Sequence, residues 1–237
     1  MNRLKSLLPL LALIALGVGL FLSGALDQLD PHNIVQDERV LGAQIAAHPL
    51  LARLTQVGVM MLAIATGLPG AVLVVFAGGI LFGVVEGTVL SCLGTTLGAL
   101  VLFLASRRAF AGGDAHVPAL AERLRAGYHA YPLSYTMFLR LVPVFPFGAV
   151  TVALAWLRCP LWLFLLASVA GGGVMIAFET ALGAGLAETI VRDGHVTLNI
   201  LAHPQVLLPL LGMATLALAP IVAGRLRHRR PGPPPTM

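Results

Sequence analysis

Residues 138–148 read FLRLVPVFPFG. One arginine, Arg140, sits in an apolar run, three residues before Pro143 and six before Pro146. Proline has no backbone N–H, so Pro143 leaves the carbonyl of Leu139 without its helical donor and Pro146 leaves that of Val142. A helix entering this stretch has to break here, and a permanent cation stands at the break. The environment decides what such an arrangement means.

That environment is lipid. Of 237 residues, 58% are hydrophobic and 11% charged, with mean hydropathy +0.91, whereas soluble domains carry about 25% charged residues. Several runs reach the ~20 apolar residues that cross a bilayer as a helix. The alternating ten-residue strands of a membrane barrel are missing. The fold class read from this is an all-α polytopic membrane protein.

Along the chain, residues 1–26 form an N-terminal membrane anchor. Ser23-Gly24-Ala25 would also suit signal cleavage, and an uncut anchor is preferred because more spans follow. Residues 27–49 are an external polar segment, and 50–186 a membrane domain. Residues 187–224 hold an external loop and a last span at 204–224, and 225–237 a basic, proline-rich cytoplasmic tail. Within the domain, 50–84 breaks at Pro69-Gly70, 86–106 is a span, 131–157 breaks at Pro143 and Pro146, and 161–186 is another span.

Charge orders these pieces. Treating 50–84 and 131–157 as re-entrant hairpins leaves four crossings with both termini inside. Of the fifteen Lys and Arg residues, eleven then face the cytoplasm. Arg39, Arg53 and Arg192 lie outside and Arg140 at membrane depth, which satisfies the positive-inside bias. A five-crossing alternative puts the RLRHRR tail outside. The hairpin reading also yields an inverted repeat, 37–106 and 114–186, with the broken helices of the two halves meeting near the midplane.

Arg140 comes out roughly 14 Å deep by helical rise, near the bilayer centre, where an unpaired arginine costs at least ~2.5 kcal/mol. Two compatible roles follow: capping the carbonyls of Leu139 and Val142, or binding an anion in a wet cavity. The second half-helices begin near Gly70 and Phe147, and their N-termini favour phosphate or carboxylate. Candidate binding residues are therefore Arg140, Pro143, Pro146, Phe147, Pro69 and Gly70. Glu179 and Glu86 are the acids in or bordering apolar spans, and Glu179 is the better candidate for a proton site or an ion pair with Arg140. Gly83, Gly87, Ser91, Gly94 and Gly98 line one helix face and read as a packing seam. Gly171-Gly172-Gly173 loosens its span, at roughly 1 kcal/mol per glycine relative to alanine.

Cys92 and Cys159 form no CxxC motif. The histidines never pair at i, i+4, and neither a P-loop nor GxSxG occurs. No metal site and no cofactor are expected, and no enzyme activity. The basic tail reads as a membrane-proximal anchor rather than a nucleic-acid site.

LPGAVLVVFAGGILFGVVEGTVLSCLGTTLGALVLFLASR (68–107), FLRLVPVFPFG, and a glycine-broken span ending ALGAGL (181–186) resemble the VTT-domain family, the SNARE-associated Golgi group of the DedA superfamily, over about residues 50–186. The resemblance implies two opposed re-entrant hairpins and movement of phospholipid or polyprenyl-phosphate head groups, with proton-linked transport in some members. Arg140 matches the arginine before the family's second proline hairpin. Ala71 stands where the DedA branch carries an acid, Gly148 where asparagine often follows the PF pair, and Gly171–Gly173 where a proline is common. These departures favour the Golgi-type branch. The expected partners are membrane lipids with anionic head groups, in the inner cell membrane, with a homo-oligomer left open. A proton- or ion-coupled solute carrier using Glu179 and a non-transporting scaffold are the rival readings.

Overall fold

The computed structural model describes residues 2–23, 38–67, 70–112, 125, 128–141, 146–193, 207–208, 211–212 and 215. Every regular element among them is helical. In chain order these are α1 (Asn2–Leu22), α2 (Glu38–Ala47), α3 (Pro49–Ala65), α4 (Ala71–Ala109), α5 (Pro132–Leu141), α6 (Phe147–Trp156), α7 (Leu161–Ala167) and α8 (Gly173–Asp193). The five residues Ser168–Gly172 join α7 to α8 as a π-helical turn.

Four full crossings are expected from the sequence. Among the described residues, Ala71–Ala109 and Leu161–Leu186 are long and apolar enough to cross. A third is added if Leu41–Ala47 and Pro49–Ala65, bent by 115° at His48, count as one. The first segment contributes the shorter apolar helix Leu7–Leu20, and 204–224 falls largely outside the described residues.

Both proline-marked breaks separate helices. α3 opens with Pro49, the position where a missing N–H is harmless, and ends at Thr66-Gly67; the chain turns, and α4 starts after Gly70, whose φ is +100°. α5 stops at Leu141 and α6 starts after Pro146. The tip residues Pro69 and Pro143 themselves lie outside the described residues.

At 39 residues, α4 would reach about 58 Å if straight, nearly twice the ~30 Å hydrocarbon core. It is not straight. Gly83 interrupts it with φ +73° and ψ −178°, a conformation essentially restricted to glycine. The break divides α4 into a short leg at 71–82 and a span at 84–109. Gly83 thus departs from the packing role expected of it: a Cβ there would meet nothing within 4 Å. It serves as a hinge in the backbone.

The rest of the small-residue stripe packs. Cβ atoms at Gly94 would lie 2.6 Å from Met60 Cβ and 2.8 Å from the Val57 carbonyl of α3. Gly98 abuts Met61 and Ile64, and Gly87 abuts Gly78 and Thr180. Ser91 is buried within 3.4 Å of Gln56 Nε2, which also donates to the Val74 carbonyl at 3.0 Å. Such contacts replace the hydrophobic drive that lipid cannot supply between helices. On another side, the short leg of α4 meets α8, where Gly183 faces Phe76. Phe103 of α4 stacks on Phe164 of α7, with centroids 4.2 Å apart, at the centre of the core.

These contacts bring the first turn to the start of α6. A Cβ on Gly148 would stand 3.4 Å from Gly67 Cα, and one on Gly17 of α1 would meet the Thr66 carbonyl at 2.9 Å. The first turn is thus held between α1 and the start of α6. Two alanine substitutions test the seam. Gly58→Ala on α3, open to 4 Å, is expected to stabilise by up to ~1 kcal/mol through helix propensity. Gly94→Ala is expected to destabilise by ~1–3 kcal/mol through overpacking. Thermal melting in detergent should move in opposite directions for the two.

Candidate functional site

Arg140 lies in the last turn of α5 and is only 5% exposed. Its guanidinium carbon sits 4.0 Å from the centroid of Phe147 and 5.0 Å from that of Phe164. Nη2 donates to Thr151 Oγ1 at 3.1 Å, and that hydroxyl in turn donates to the Phe147 carbonyl at 2.9 Å. The backbone gives way to admit the side chain: a Cβ on Gly171, in the π-helical turn, would stand 2.9 Å from Arg140 Cβ. The glycine triplet therefore does more than loosen its span.

Two expected partners of Arg140 are not engaged. No hydrogen bond joins it to the Leu139 carbonyl, and that of Val142 lies outside the described residues. Glu179 does not pair with it either; among the described residues the ion pair is Arg53–Glu86. Arg140 Nε and Nη1 are buried without any hydrogen-bond partner. Two aromatic faces supply ~0.5–2 kcal/mol each and one charged hydrogen bond ~1.5–3 kcal/mol. Each orphaned donor costs ~1–3 kcal/mol. The cation is held but not satisfied.

Beside it is a cavity of about 360 Å³ between the starts of α4 and α6. Gly67, Gly70 and Ala71 line it from the first turn; Pro146, Phe147 and Gly148 line it from the second. Neither Gly70 nor Pro146, the residues preceding α4 and α6, provides a side-chain cap. Two helix N-termini, each equivalent to about half a positive charge, thus border one space with Arg140. Thr95 lines it too, and its Oγ1 is another buried hydroxyl without a partner. Glu179, on α8, completes the wall and is partly buried. The arrangement suits an anion of phosphate or carboxylate type that accepts from several donors at once.

Of the residues singled out in the sequence, Arg140, Pro146, Phe147, Gly70 and Glu179 come together here. Pro69 and Pro143 lie outside the described residues. Glu86 is elsewhere: its Oε1 accepts from Arg53 Nε at 2.5 Å, with the two side chains 41% and 47% exposed, a surface pair worth ~0–1 kcal/mol. Gly83, Gly87, Gly94 and Gly98 do not line the cavity. Sequence reasoning missed Thr151, Thr95 and Phe164. Thr151 carried a signal, a hydroxyl one turn after Phe147 in an apolar helix. Phe164 carried none, since an aromatic in a membrane span reads as lipid-facing or core.

Residues 68–185 match the VTT domain, a stretch that runs from the first turn through both helix breaks to α8. The chain therefore belongs to the VTT-domain family, the DedA/SNARE-associated group, and is a membrane protein. No curated protein and no solved structure matches it.

Thr151 is expected to be the principal tether of Arg140. Thr151→Val keeps the shape and removes the acceptor, so a loss of ~1.5–3 kcal/mol is expected. Thr180→Val removes a hydroxyl that bonds only the Ile176 carbonyl of its own helix and should cost ~0.5–1.5 kcal/mol. Melting curves of the two variants in detergent should rank in that order.

Proposed function

We propose that this protein moves anionic, phosphate-bearing lipid head groups across the bilayer without altering them covalently, through the cavity at the two helix turns. The observation carrying this reading is Arg140: 5% exposed, with Nε and Nη1 unpartnered, bordering a space that the first residues of α4 and α6 also line. A purely structural arginine would be expected to use its donors on freed carbonyls. The cavity, about 360 Å³, falls at the small end of ligand-site volumes of ~300–1,000 Å³. It accommodates a head group while acyl chains stay in lipid. The exposed apolar side chains on α4 and α7, such as Val89, Leu93 and Trp162, give those chains a surface to follow.

In this reading the protein sits in the inner cell membrane with both termini cytoplasmic. The α3–α4 and α5–α6 turns are re-entrant from opposite faces, and the helices form an inverted repeat. Membrane lipids are its partners, and the basic tail contacts lipid rather than nucleic acid. Ala71 and Gly148 support the Golgi-type branch of the family. Cysteine labelling checks the topology: positions 110–112, which follow Arg107 and Arg108, should react only with reagent on the cytoplasmic side. Labelling from outside would refute the arrangement.

The function is tested by reconstitution with fluorescent lipid tracers. Arg140→Ala is expected to abolish lipid movement while the protein still melts as a folded species in detergent, and Arg140→Lys to restore it only in part. Ammonium is a point charge that neither stacks broadly on two rings nor presents parallel donors. An Arg140→Ala protein that folds and moves lipid at the wild-type rate would remove the anion site; activity lost only in proportion to stability would favour a scaffold role.

A further inference from the structure

Glu179 has no place in a site built for anions alone. Its neighbours explain why it cannot be dismissed as a lipid-facing acid. Gly172, Met175, Ile176 and Glu179 all line the cavity, and their spacing of three, one and three places them on one face of the helical run. Met175 and Ile176 are buried there, whereas Val174, pointing elsewhere, is 40% exposed. Glu179 therefore shares the inward face. Among the residues lining the cavity, Arg140 and Glu179 are the charged ones, and they do not pair with each other.

A phosphomonoester, or a phosphodiester whose far end is neutral, would satisfy Arg140 and the N-termini of α4 and α6 while leaving the Glu179 carboxylate facing another anion. A ligand carrying both signs leaves no charge alone. We propose that Glu179 is the specificity-determining residue that receives the ammonium of a zwitterionic, amine-bearing phosphodiester head group while Arg140 holds its phosphate. This rests on the phosphate-binding part of the head-group reading above and changes the preferred head group from a net anion to a zwitterion. The unpaired state of the two side chains is what such a ligand requires: were they bonded to each other, binding would have to break that pair first. The cavity's other polar group, Thr95, donates or accepts and discriminates neither charge.

The test uses the full chain in vesicles of equal phosphatidylcholine and phosphatidylglycerol, with tail-labelled phosphatidylethanolamine or phosphatidylglycerol as tracer. Wild-type protein is expected to move the ethanolamine tracer faster by about tenfold or more, the factor that one charge-assisted hydrogen bond provides. Glu179→Gln should bring the two rates within about twofold, chiefly by slowing the ethanolamine tracer, and Glu179→Asp should retain a preference. Size-exclusion and melting profiles of both variants establish that they fold. If Glu179→Gln moves both tracers with the wild-type ratio, Glu179 selects nothing and this inference fails while the head-group reading stands. If wild type moves neither tracer above protein-free vesicles, the head-group reading fails and takes this one with it.

Discussion

A guanidinium buried without a carboxylate is the constraint around which this protein is organised. In low dielectric an ion loses several kcal/mol of hydration, and the usual remedy is an opposite charge at contact distance. Here the remedy is distributed: two aromatic faces, Phe147 and Phe164, and one hydroxyl, Thr151. They come from two different helices. Phe147 and Thr151 sit one turn apart on α6, Phe164 belongs to α7, and the backbone at Gly171 yields space behind Arg140. The helix break before α6 therefore matters to this cation, since it sets Phe147 at a helix start beside the arginine of the preceding helix. A continuous helix through 138–148 would leave Phe147 seven residues along the same face as Arg140, about two turns away.

The second constraint is the closeness of the helices. Irregular backbone at membrane depth is tolerated where protein or a cavity surrounds it. Gly67 and Gly70 at the first break and Pro146 at the second border a cavity, and α4 lets its neighbours approach on glycine. The Gly94–Gly98 face admits α3, Gly87 and Gly79 admit α8, and Gly83 lets one long helix supply both a short leg and a span. Enlarging the seam residues would push α3 outward and carry Gly67 away from Gly148. The packing seam and the cavity are thus mechanically one object, although no seam glycine lines the cavity.

Much of this was legible from sequence because lipid imposes strong rules. Apolar run length marked spans at 86–106 and 161–186, which lie within the helical stretches Ala71–Ala109 and Leu161–Leu186. The PxxP and LPG signals marked the breaks, and the rarity of intramembrane charge pointed at Arg140 and Glu179. What sequence could not supply was pairing. Carbonyls freed four residues before each proline are obvious local partners for an arginine, so capping stood beside anion binding as an expectation. The rings and Thr151 won because α6 folds back over Arg140, a tertiary fact with no periodic signature. Glu86 was ambiguous for the same reason: its partner Arg53 lies 33 positions away on another helix. Gly83 matched the stripe by spacing, but spacing does not reveal its non-helical backbone conformation.

The partial satisfaction of Arg140 also bears on what a transport site has to do. A guanidinium with all its donors bonded to protein would present nothing to a head group, and one with no partners would collapse onto the nearest carbonyl. Rings and one hydroxyl form an intermediate solution. Cation–π contact is broad and tolerant of small displacements, so Arg140 has a resting place from which it can shift without first breaking a charge pair. Two helix N-termini would, on the head-group reading, share the anion, and their donors are fixed backbone groups that would not follow the ligand when it leaves. On the head-group reading, binding strong enough to draw a phosphate out of the interface and weak enough to release it on the far side follows from this division. Arg140 would be held by rings and one hydroxyl, and the dipoles would belong to the starts of α4 and α6, with α4 packed on its neighbours by the glycine seam.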